Sequence, residues 1–225
     1  DYGIELVGGN TSAALTGLTL AVSAVGRVDK SCVALRNGAT EGDLVCLSGS
    51  LGAAFLGLKL LEREKRALEG NSGVQPELKG YEYVLGKQLF PRAPKVVVEA
   101  LEAAEVVPSS MIDITKGLAS AALNICNSSE VGIRLMLDRI PIAKDCFRVA
   151  QEFNIDPVVA ALNGGDDYEL MFTVPASMHK DVLAMCEVIG YITPESEGAN
   201  MITPDGSVIR ILSPDFTATD DSQQQ

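Results

Sequence analysis

Strand-like and helix-like segments follow one another in an irregular order, and this order constrains the fold more than any other feature of the sequence. Strand patterns run over 4–7, 18–25, 43–47, 131–137, 169–174, 200–203 and 207–212, with a further short strand ending at 114. Helix patterns run from about 53 to 68, from 94, from 118, over 157–162 and over 176–187. A regular alternation would favour a doubly wound sheet. This order instead favours an α+β fold, in which a layered mixed β-sheet packs with helices.

Size and charge limit the classes of partner. The chain has 225 residues and is 47% apolar, which is enough for one full hydrophobic core and part of a second. No apolar run reaches the ~20 residues that a membrane-spanning helix needs. The net charge of −12 argues against nucleic acid, whose partners carry positive charge on the contact face. An acidic chain is compatible with a magnesium site, but it is also ordinary for cytosolic proteins, and we favour that simpler interpretation.

The cysteines are widely spaced, odd in number and mostly flanked by apolar residues: Cys32, Cys46, Cys126, Cys146 and Cys186. No CxxC pair occurs, which argues against a zinc site. Buried free thiols in a reducing cytosol are therefore the favoured interpretation, and we expect a cytoplasmic protein.

The first motif with the form of a phosphate or metal site is VGGNTS, over residues 7–12. Paired glycines at the end of a strand let the backbone approach a phosphate, and Asn10 and Thr11 offer oxygen atoms as ligands. A plain β-turn explains the same residues and is the favoured interpretation of this motif taken alone.

The second motif is IDITKGL, over residues 112–118. It places the carboxylate of Asp113, the hydroxyl of Thr115 and the ammonium of Lys116 around the start of a helix, where backbone N–H groups favour an anion. A carboxylate there can also hold Mg²⁺ against phosphates. Simple capping of the helix by Asp113 or Thr115 is an equally good explanation.

The third motif is NGGDDYEL, over residues 163–170, between a short helix and a strand. Adjacent carboxylates repel each other and are tolerated mainly where water, a cation or hydrogen-bond donors surround them. A turn does not require three acidic residues, so a functional role is favoured. The turn at 48–52 is a fourth phosphate candidate, but it matches neither the Walker pattern nor the dinucleotide-binding fingerprint, and helix capping is its favoured role.

The order and spacing of these motifs together resemble thiamine-monophosphate kinase, of the superfamily that includes aminoimidazole ribonucleotide synthetase. The likeness comprises GGNTS, Gly26-Arg27, NGATEGDLVCLSGSLG, IDITKGL and NGGDDYELMFTVP, and it runs from about residue 3 to about residue 212. NGGDDYEL is its most specific part. The resemblance implies an aminoimidazole ribonucleotide synthetase C-terminal-domain-like fold over 31–213, preceded by the last strands of a nucleotide-binding α/β domain over 1–30. Residues 214–225 are predicted to be a disordered tail, and the family's amino-terminal segment is expected to be missing.

The resemblance also implies an activity: transfer of the γ-phosphoryl group of ATP, with Mg²⁺, onto thiamine monophosphate to give thiamine diphosphate. Family members usually act as homodimers. By motif match, the nucleotide would contact Gly9, Asn10, Arg27 and Thr115. The metal ligands would be Asn10 and Asp113, and the thiamine ligand would contact Asp166 and Phe216.

Two departures from the family pattern concern the metal site. The family normally has Asp where this chain has Asn10, and Ser-Asp where it has Thr115 and Lys116. Two negative charges are thus lost and one positive charge is gained, which predicts weakened catalysis. Two alternatives stay open: a non-catalytic protein that binds a nucleotide or thiamine phosphate, and another ATP-using member of the superfamily.

Overall fold

The computed structural model describes residues 2–13, 15, 17–70 and 75–212 of the chain. They divide into two units, with the boundary between Val33 and Ala34. Within the described part of the first unit there is one regular element, the 3₁₀ turn Lys30–Cys32, which the Asp29 side chain caps by accepting from the Ser31 N–H. The assignment of residues 1–30 to a separate nucleotide-binding domain stays a prediction, and the tail predicted over 214–225 lies outside the described residues.

The strands predicted over 4–7 and 18–25 are wrong, since no described residue of either segment is in a strand. A strand is stable only when a neighbour completes its hydrogen-bond ladder, and none of the described ladders includes these segments. Their apolar side chains are exposed: Ile4, Leu6, Val7, Leu18, Leu20, Val22 and Val25. A suitable residue pattern therefore does not make a strand without a partner.

Seven strands in the described part of the second unit form one sheet, in the order β2-β4-β1-β5-β3-β6-β7. Their bounds are β1 Leu44–Leu47, β2 Ser110–Ile114, β3 Gly132–Met136, β4 Glu169–Val174, β5 Glu187–Thr193, β6 Ala199–Ile202 and β7 Val208–Arg210. Neighbours are antiparallel except β3 and β6, which are parallel, so the sheet is mixed. The predicted α+β class is confirmed.

The helices are α1 Ala53–Gly70, α2 Glu82–Leu89, α3 Lys95–Ala103, α4 Leu118–Ser129, α5 Lys144–Glu152, α6 Pro157–Asn163 and α7 His179–Val182. Sequence analysis missed α2 and α5. It also predicted one helix over 176–187, where the structure has a short 3₁₀ turn, the four-residue α7 and then β5. The β-branched run that follows Glu187 forms a central strand, paired with β1 and β3 on either side.

Side chains that alternate along each strand separate the core into layers. In β1, Val45 and Leu47 belong to the cluster that packs against α4, whereas Cys46 belongs to the cluster on the other face, with residues of α3 and α7. A third cluster joins α1, α2, α5 and α6. In the first of these clusters, α4 packs against β2.

The thiols are free, as predicted, and Cys46, Cys126 and Cys146 are buried. Cys186 is half-buried. Cys32 is exposed, so the prediction of burial is wrong there, because Cys32 lies on the short 3₁₀ turn of the first unit, none of whose three residues is buried. None of the described helices has the length and apolar character needed to cross a membrane.

Candidate functional site

Two of the three motifs lie side by side at the end of β2. The backbone N–H of Asp166 donates to the Thr115 carbonyl (2.9 Å), and the N–H of Tyr168 donates to the Ile114 carbonyl (2.9 Å). These bonds continue the antiparallel pairing of β2 with β4 beyond the regular ladder. IDITKGL and NGGDDYEL, which are far apart in sequence, therefore form one surface.

Glycines allow this close approach. Gly117 has φ +89°, and a Cβ built there would lie 2.3 Å from the Leu162 carbonyl oxygen. Gly165 has φ +76°, and its Cβ would lie 2.6 Å from the Thr115 carbonyl oxygen. Any other residue at either position would be strained by its backbone angle and would force the two segments apart.

A cavity of about 280 Å³ opens beside this junction. Its described lining comprises Arg36, Ile112, Asp113, Thr115, Lys116, Gly117, Ser120, Ala121 and Asn124. The charged members are two cations and one carboxylate. Gly117 is the N-cap of α4 and no side chain caps that helix, so the alternative of capping by Asp113 or Thr115 is wrong.

The outward residues of the third motif face solvent. Asp166 and Tyr168 have φ values of +58° and +53°, which side-chain-bearing residues adopt at an energetic cost. The Tyr168 hydroxyl donates to Asp166 Oδ1 at 3.4 Å. The negative charge of Asp166 raises the pKa of Tyr168, with smaller contributions from burial, that hydrogen bond and the charge of Asp113. The charges of Asp113 and Asp166 thus both raise the pKa of the same hydroxyl group.

The inward residue Asp167 is buried and caps α1. Its carboxylate accepts from the N–H of Gly52 (2.8 Å) and of Ala54 (3.4 Å). Burial raises the pKa of Asp167 to about 6, although these two hydrogen bonds lower it. The group seen at the start of α1 is thus Asp167, which lies outside the turn at 48–52, and the capping role predicted for the turn's own residues stays a prediction.

Glu169 is also buried and is paired. Lys87 of α2 donates to Glu169 Oε1 at 2.8 Å, and the Ser48 hydroxyl donates to Oε2 at 2.5 Å. Burial lowers the pKa of Lys87, but the hydrogen bond and charge of Glu169 outweigh it, so the pKa is raised overall. A Cβ at Gly49 would lie 2.7 Å from the Glu169 carboxylate, so the turn must be small at that point.

A family model described as AIR synthase related protein, C-terminal domain, matches residues 40–201 of the chain. The chain belongs to this family. The AIR synthase-related chain is 32% identical to the thiamine-monophosphate kinase of Buchnera aphidicola from Schizaphis graminum, over 92% of its own length and 62% of that protein. It spans about three-fifths of the length of this relative.

Solved structures agree with this assignment. Thiamine-monophosphate kinase from Stenotrophomonas maltophilia K279a superposes with a TM-score of 0.64 at 26% identity, over 82% of this chain and 56% of that one. A structure of AaThiL complexed with AMPPCP and TMP superposes with a TM-score of 0.59 at 28% identity, over 76% of this chain and 50% of that one. The predicted fold and the resemblance of the AIR synthase-related chain to thiamine-monophosphate kinases are confirmed.

Some of the predicted site residues lie together in the second unit. Asp113 and Thr115 line the cavity, and Asp166 lies beside it without being part of its lining. Gly9, Asn10 and Arg27 belong to the first unit, and Phe216 lies outside the described residues. The roles of all these residues stay predictions.

Three polar lining residues escaped sequence analysis: Arg36, Ser120 and Asn124. The last two had a readable signal, because Ser120 and Asn124 lie four residues apart, on one face of a helix whose other residues from 118 to 125 are apolar. The Asn124 amide donates to the Ser120 carbonyl at 2.9 Å, which fixes its orientation. Arg36 had no such signal, because contacts distant in sequence place it.

Proposed function

We propose that this chain carries part or all of an ATP-dependent kinase that phosphorylates thiamine monophosphate to thiamine diphosphate. The observation that supports the proposal most strongly is the junction of IDITKGL and NGGDDYEL beside a cavity lined by Asp113 and Thr115. The likeness to curated thiamine-monophosphate kinases points the same way, as does the structure of AaThiL with AMPPCP and TMP.

Each residue at the junction has a role in this reaction. In-line phosphoryl transfer needs little covalent help from the protein, which mainly positions the reactants and neutralises charge. The Thr115 hydroxyl contacts a phosphate of ATP. Asp166, exposed and held by the backbone bond to Thr115, contacts the thiamine ligand. The strained backbone at Asp166 and Tyr168 fits a binding role, since such strain often occurs at ligand sites.

Magnesium enters the proposal as the counter-ion of ATP. Proteins commonly hold Mg²⁺ through one or two carboxylates together with substrate phosphates, and Asp113 supplies one carboxylate at the cavity. The described residues contain no group of three acidic, His or Cys side chains that could hold a metal ion. When bound, the ion would neutralise charge on the transferred phosphoryl group.

The remaining contacts of the proposal rest on the family resemblance. Gly9, Asn10 and Arg27 would bind the nucleotide, with Asn10 also at the metal. Phe216 would stack on the thiamine ring. We also propose the cytoplasm as the site of action and a homodimer as the active form, both of which rest on the family resemblance.

The direct test is the formation of thiamine diphosphate by the purified chain with MgATP and thiamine monophosphate, followed by chromatography with fluorescent detection. We expect turnover that Asp166→Asn reduces by about tenfold or more, equivalent to about 1.4 kcal/mol of activation free energy. The matched control, Asp181→Asn, removes an exposed carboxylate on α7 and should leave turnover unchanged. Product at the no-enzyme rate would refute the proposal for this chain.

One observation favours a second candidate, a protein that binds these ligands without turnover. Lys116 lines the cavity at the position where the family resemblance predicts a metal-binding Asp. Calorimetric binding without product formation, not restored in the double variant Asn10→Asp with Lys116→Asp, would support this candidate. Restored turnover in that variant would instead support the kinase.

A further inference from the structure

We propose that Cys46 and Cys186 form an oxidation-sensitive pair, in which a hydroperoxide oxidises Cys186 and Cys46 then closes a disulfide with it. The proposed kinase gives neither thiol a role, so this chemistry does not depend on that function. Disulfides of cytosolic proteins, where they occur, are usually transient and serve catalysis or redox sensing.

The register of β1 against β5 brings the two residues together. Cys46 lies opposite Val188, and Leu47 lies opposite Glu187. Cys186 comes two residues before Val188, so it is the diagonal neighbour of Cys46 on the same face of the sheet. Both side chains accordingly belong to the apolar cluster on that face. Two cysteines that are far apart in sequence thus meet at one place.

The two thiols are in contact. Their side chains form a hydrogen bond with each other, in which the Cys46 S–H donates to the sulfur of Cys186. In its thiol form, Cys186 also donates to the Val182 carbonyl at 3.3 Å, which helps to fix the position of its sulfur atom. A disulfide needs two sulfur atoms that face each other, and the hydrogen bond between the thiols provides that arrangement.

The shared hydrogen bond makes Cys186 the more acidic thiol. It lowers the pKa of Cys186, although burial and the charge of Glu187 raise it. The same bond, together with burial, raises the pKa of Cys46. Because the thiolate is the nucleophile, Cys186 attacks an oxidant, while Cys46 stays protonated as the second thiol.

Access to solvent gives the same order of reaction. Cys186 is half-buried, whereas Cys46 is buried. Cys126 and Cys146 are also buried, and burial raises the pKa of Cys126 to about 12 and that of Cys146 to about 11, so both should react slowly. Cys32 is exposed but belongs to the first unit. Among the cysteines of the second unit, Cys186 is therefore the expected point of attack.

The reaction has two steps. The Cys186 thiolate attacks one oxygen of hydrogen peroxide and the O–O bond breaks, which leaves a sulfenic acid on Cys186 and a hydroxide that takes up a proton to become water. The Cys46 sulfur then attacks the Cys186 sulfur, the S–O bond breaks, and the departing hydroxide combines with the Cys46 proton as a second water. Two thiols thus lose two electrons to one peroxide and become one disulfide.

The test is peptide mass spectrometry of the full chain after treatment with a small molar excess of hydrogen peroxide, with the remaining thiols alkylated and the digest kept non-reducing. We expect a linked pair of peptides that contains Cys46 and Cys186 and that dithiothreitol separates. Loss of the Cys186 thiol should be at least about tenfold faster than loss of the Cys126 or Cys146 thiol. In concentrated urea this selectivity should disappear, because unfolding removes both the hydrogen bond and the burial.

Two variants separate the two steps. Cys46→Ser keeps a hydrogen-bond donor beside Cys186 but removes the second sulfur, so the sulfenic acid should accumulate on Cys186, where dimedone labels it. Cys186→Ser removes the point of attack, so Cys46 should stay reduced. The matched control, Cys32→Ser, removes the exposed thiol and should leave the yield of the linked peptides unchanged. Circular dichroism checks that each variant is folded.

Three results would overturn the proposal. Peroxide could oxidise Cys32 while Cys46 and Cys186 both stay reduced. Cys46 could lose its thiol as fast in Cys186→Ser as in the unmodified chain, in which case Cys186 is not the point of attack. Linked peptides could join Cys186 to Cys126 or Cys146 as often as to Cys46, which would contradict the contact between the two thiols.

Discussion

The segment 163–170 carries an outward carboxylate and two inward ones, which have the same chemistry but different surroundings. Asp166 is exposed and lies beside the cavity. It accepts a hydrogen bond from the Tyr168 hydroxyl and raises the pKa of that group. Asp167 and Glu169 are buried and bind the start of α1 and Lys87. Adjacent acids in one motif can thus have opposite uses, since the backbone turns successive side chains to opposite sides.

This comparison divides a motif that sequence analysis treated as one functional unit. Positive φ at Asp166 and at Tyr168 flanks the buried Asp167, so two strained residues enclose one that is hydrogen-bonded in the interior. The strain at the two outward positions is offset by the hydrogen bonds and ion pair of the inward ones. The inward acids therefore hold the outward ones in place.

The largest expected effect is on the inward side, at Glu169. Glu169→Ala leaves Lys87 and the Ser48 hydroxyl without their partner, and removing one member of a mostly buried pair should cost about 2–4 kcal/mol of unfolding free energy. Urea unfolding at neutral pH measures it. Glu62→Ala, which breaks a more exposed pair with Lys59, should cost no more than about 0.5 kcal/mol. Equal losses of unfolding free energy in the two variants would contradict the difference drawn between the buried and the exposed ion pair.

The pH dependence of stability tests the same difference between buried and exposed acids, here at Asp167. Because burial raises its pKa from 3.8 to about 6, the folded chain binds this proton more tightly than the unfolded chain does. The contribution of Asp167 to the unfolding free energy should therefore increase as the pH falls through this range, by roughly 3 kcal/mol at most.

The variant Asp167→Asn isolates this contribution. The unfolding free energy of the unmodified chain minus that of the variant should be larger at about pH 4.5 than at about pH 7. Urea titrations at both pH values give the difference. A difference that stays constant, or becomes smaller in acid, would mean that the Asp167 carboxylate is not shielded from water.

The smallest expected effect is on the outward side, at Tyr168. The charge of Asp166 raises the pKa of this tyrosine, so Asp166→Asn should lower that pKa and tyrosinate should appear at lower pH. Ultraviolet absorbance titration detects the change, and Tyr168→Phe identifies the signal. Asp181→Asn should leave the curve unchanged. No shift in Asp166→Asn would place the two side chains further apart than described.

Local patterns predicted much of the sheet and several helices. The strand predicted over 169–174 has the bounds of β4, and the helix predicted over 157–162 begins at the first residue of α6. These elements could be predicted because a residue's neighbours in sequence determine them. By contrast, the predicted helix continued to 187, the residue at which β5 begins. The position of β5 between β1 and β3 depends on partners far away in the chain.

The candidate site was predictable to the same limited extent. IDITKGL and NGGDDYEL were identified from sequence, but the division of acids between the two sides of the second motif was not, because it follows from single backbone angles at Asp166 and Tyr168. Arg36 was missed because its position depends on hydrogen bonds that its neighbours make: Leu35 with Met111, and Gly38 with Ser129.

The central claim is that the outward acid binds the ligand while the inward acid holds the fold. Its most direct test measures, for Asp166→Asn and Asp167→Asn, both the urea midpoint at neutral pH and the affinity for thiamine monophosphate. We predict that Asp166→Asn loses about tenfold in affinity with an unchanged midpoint, and that Asp167→Asn shifts the midpoint with affinity within about twofold. An Asp166→Asn chain that unfolds early and binds normally would contradict the claim.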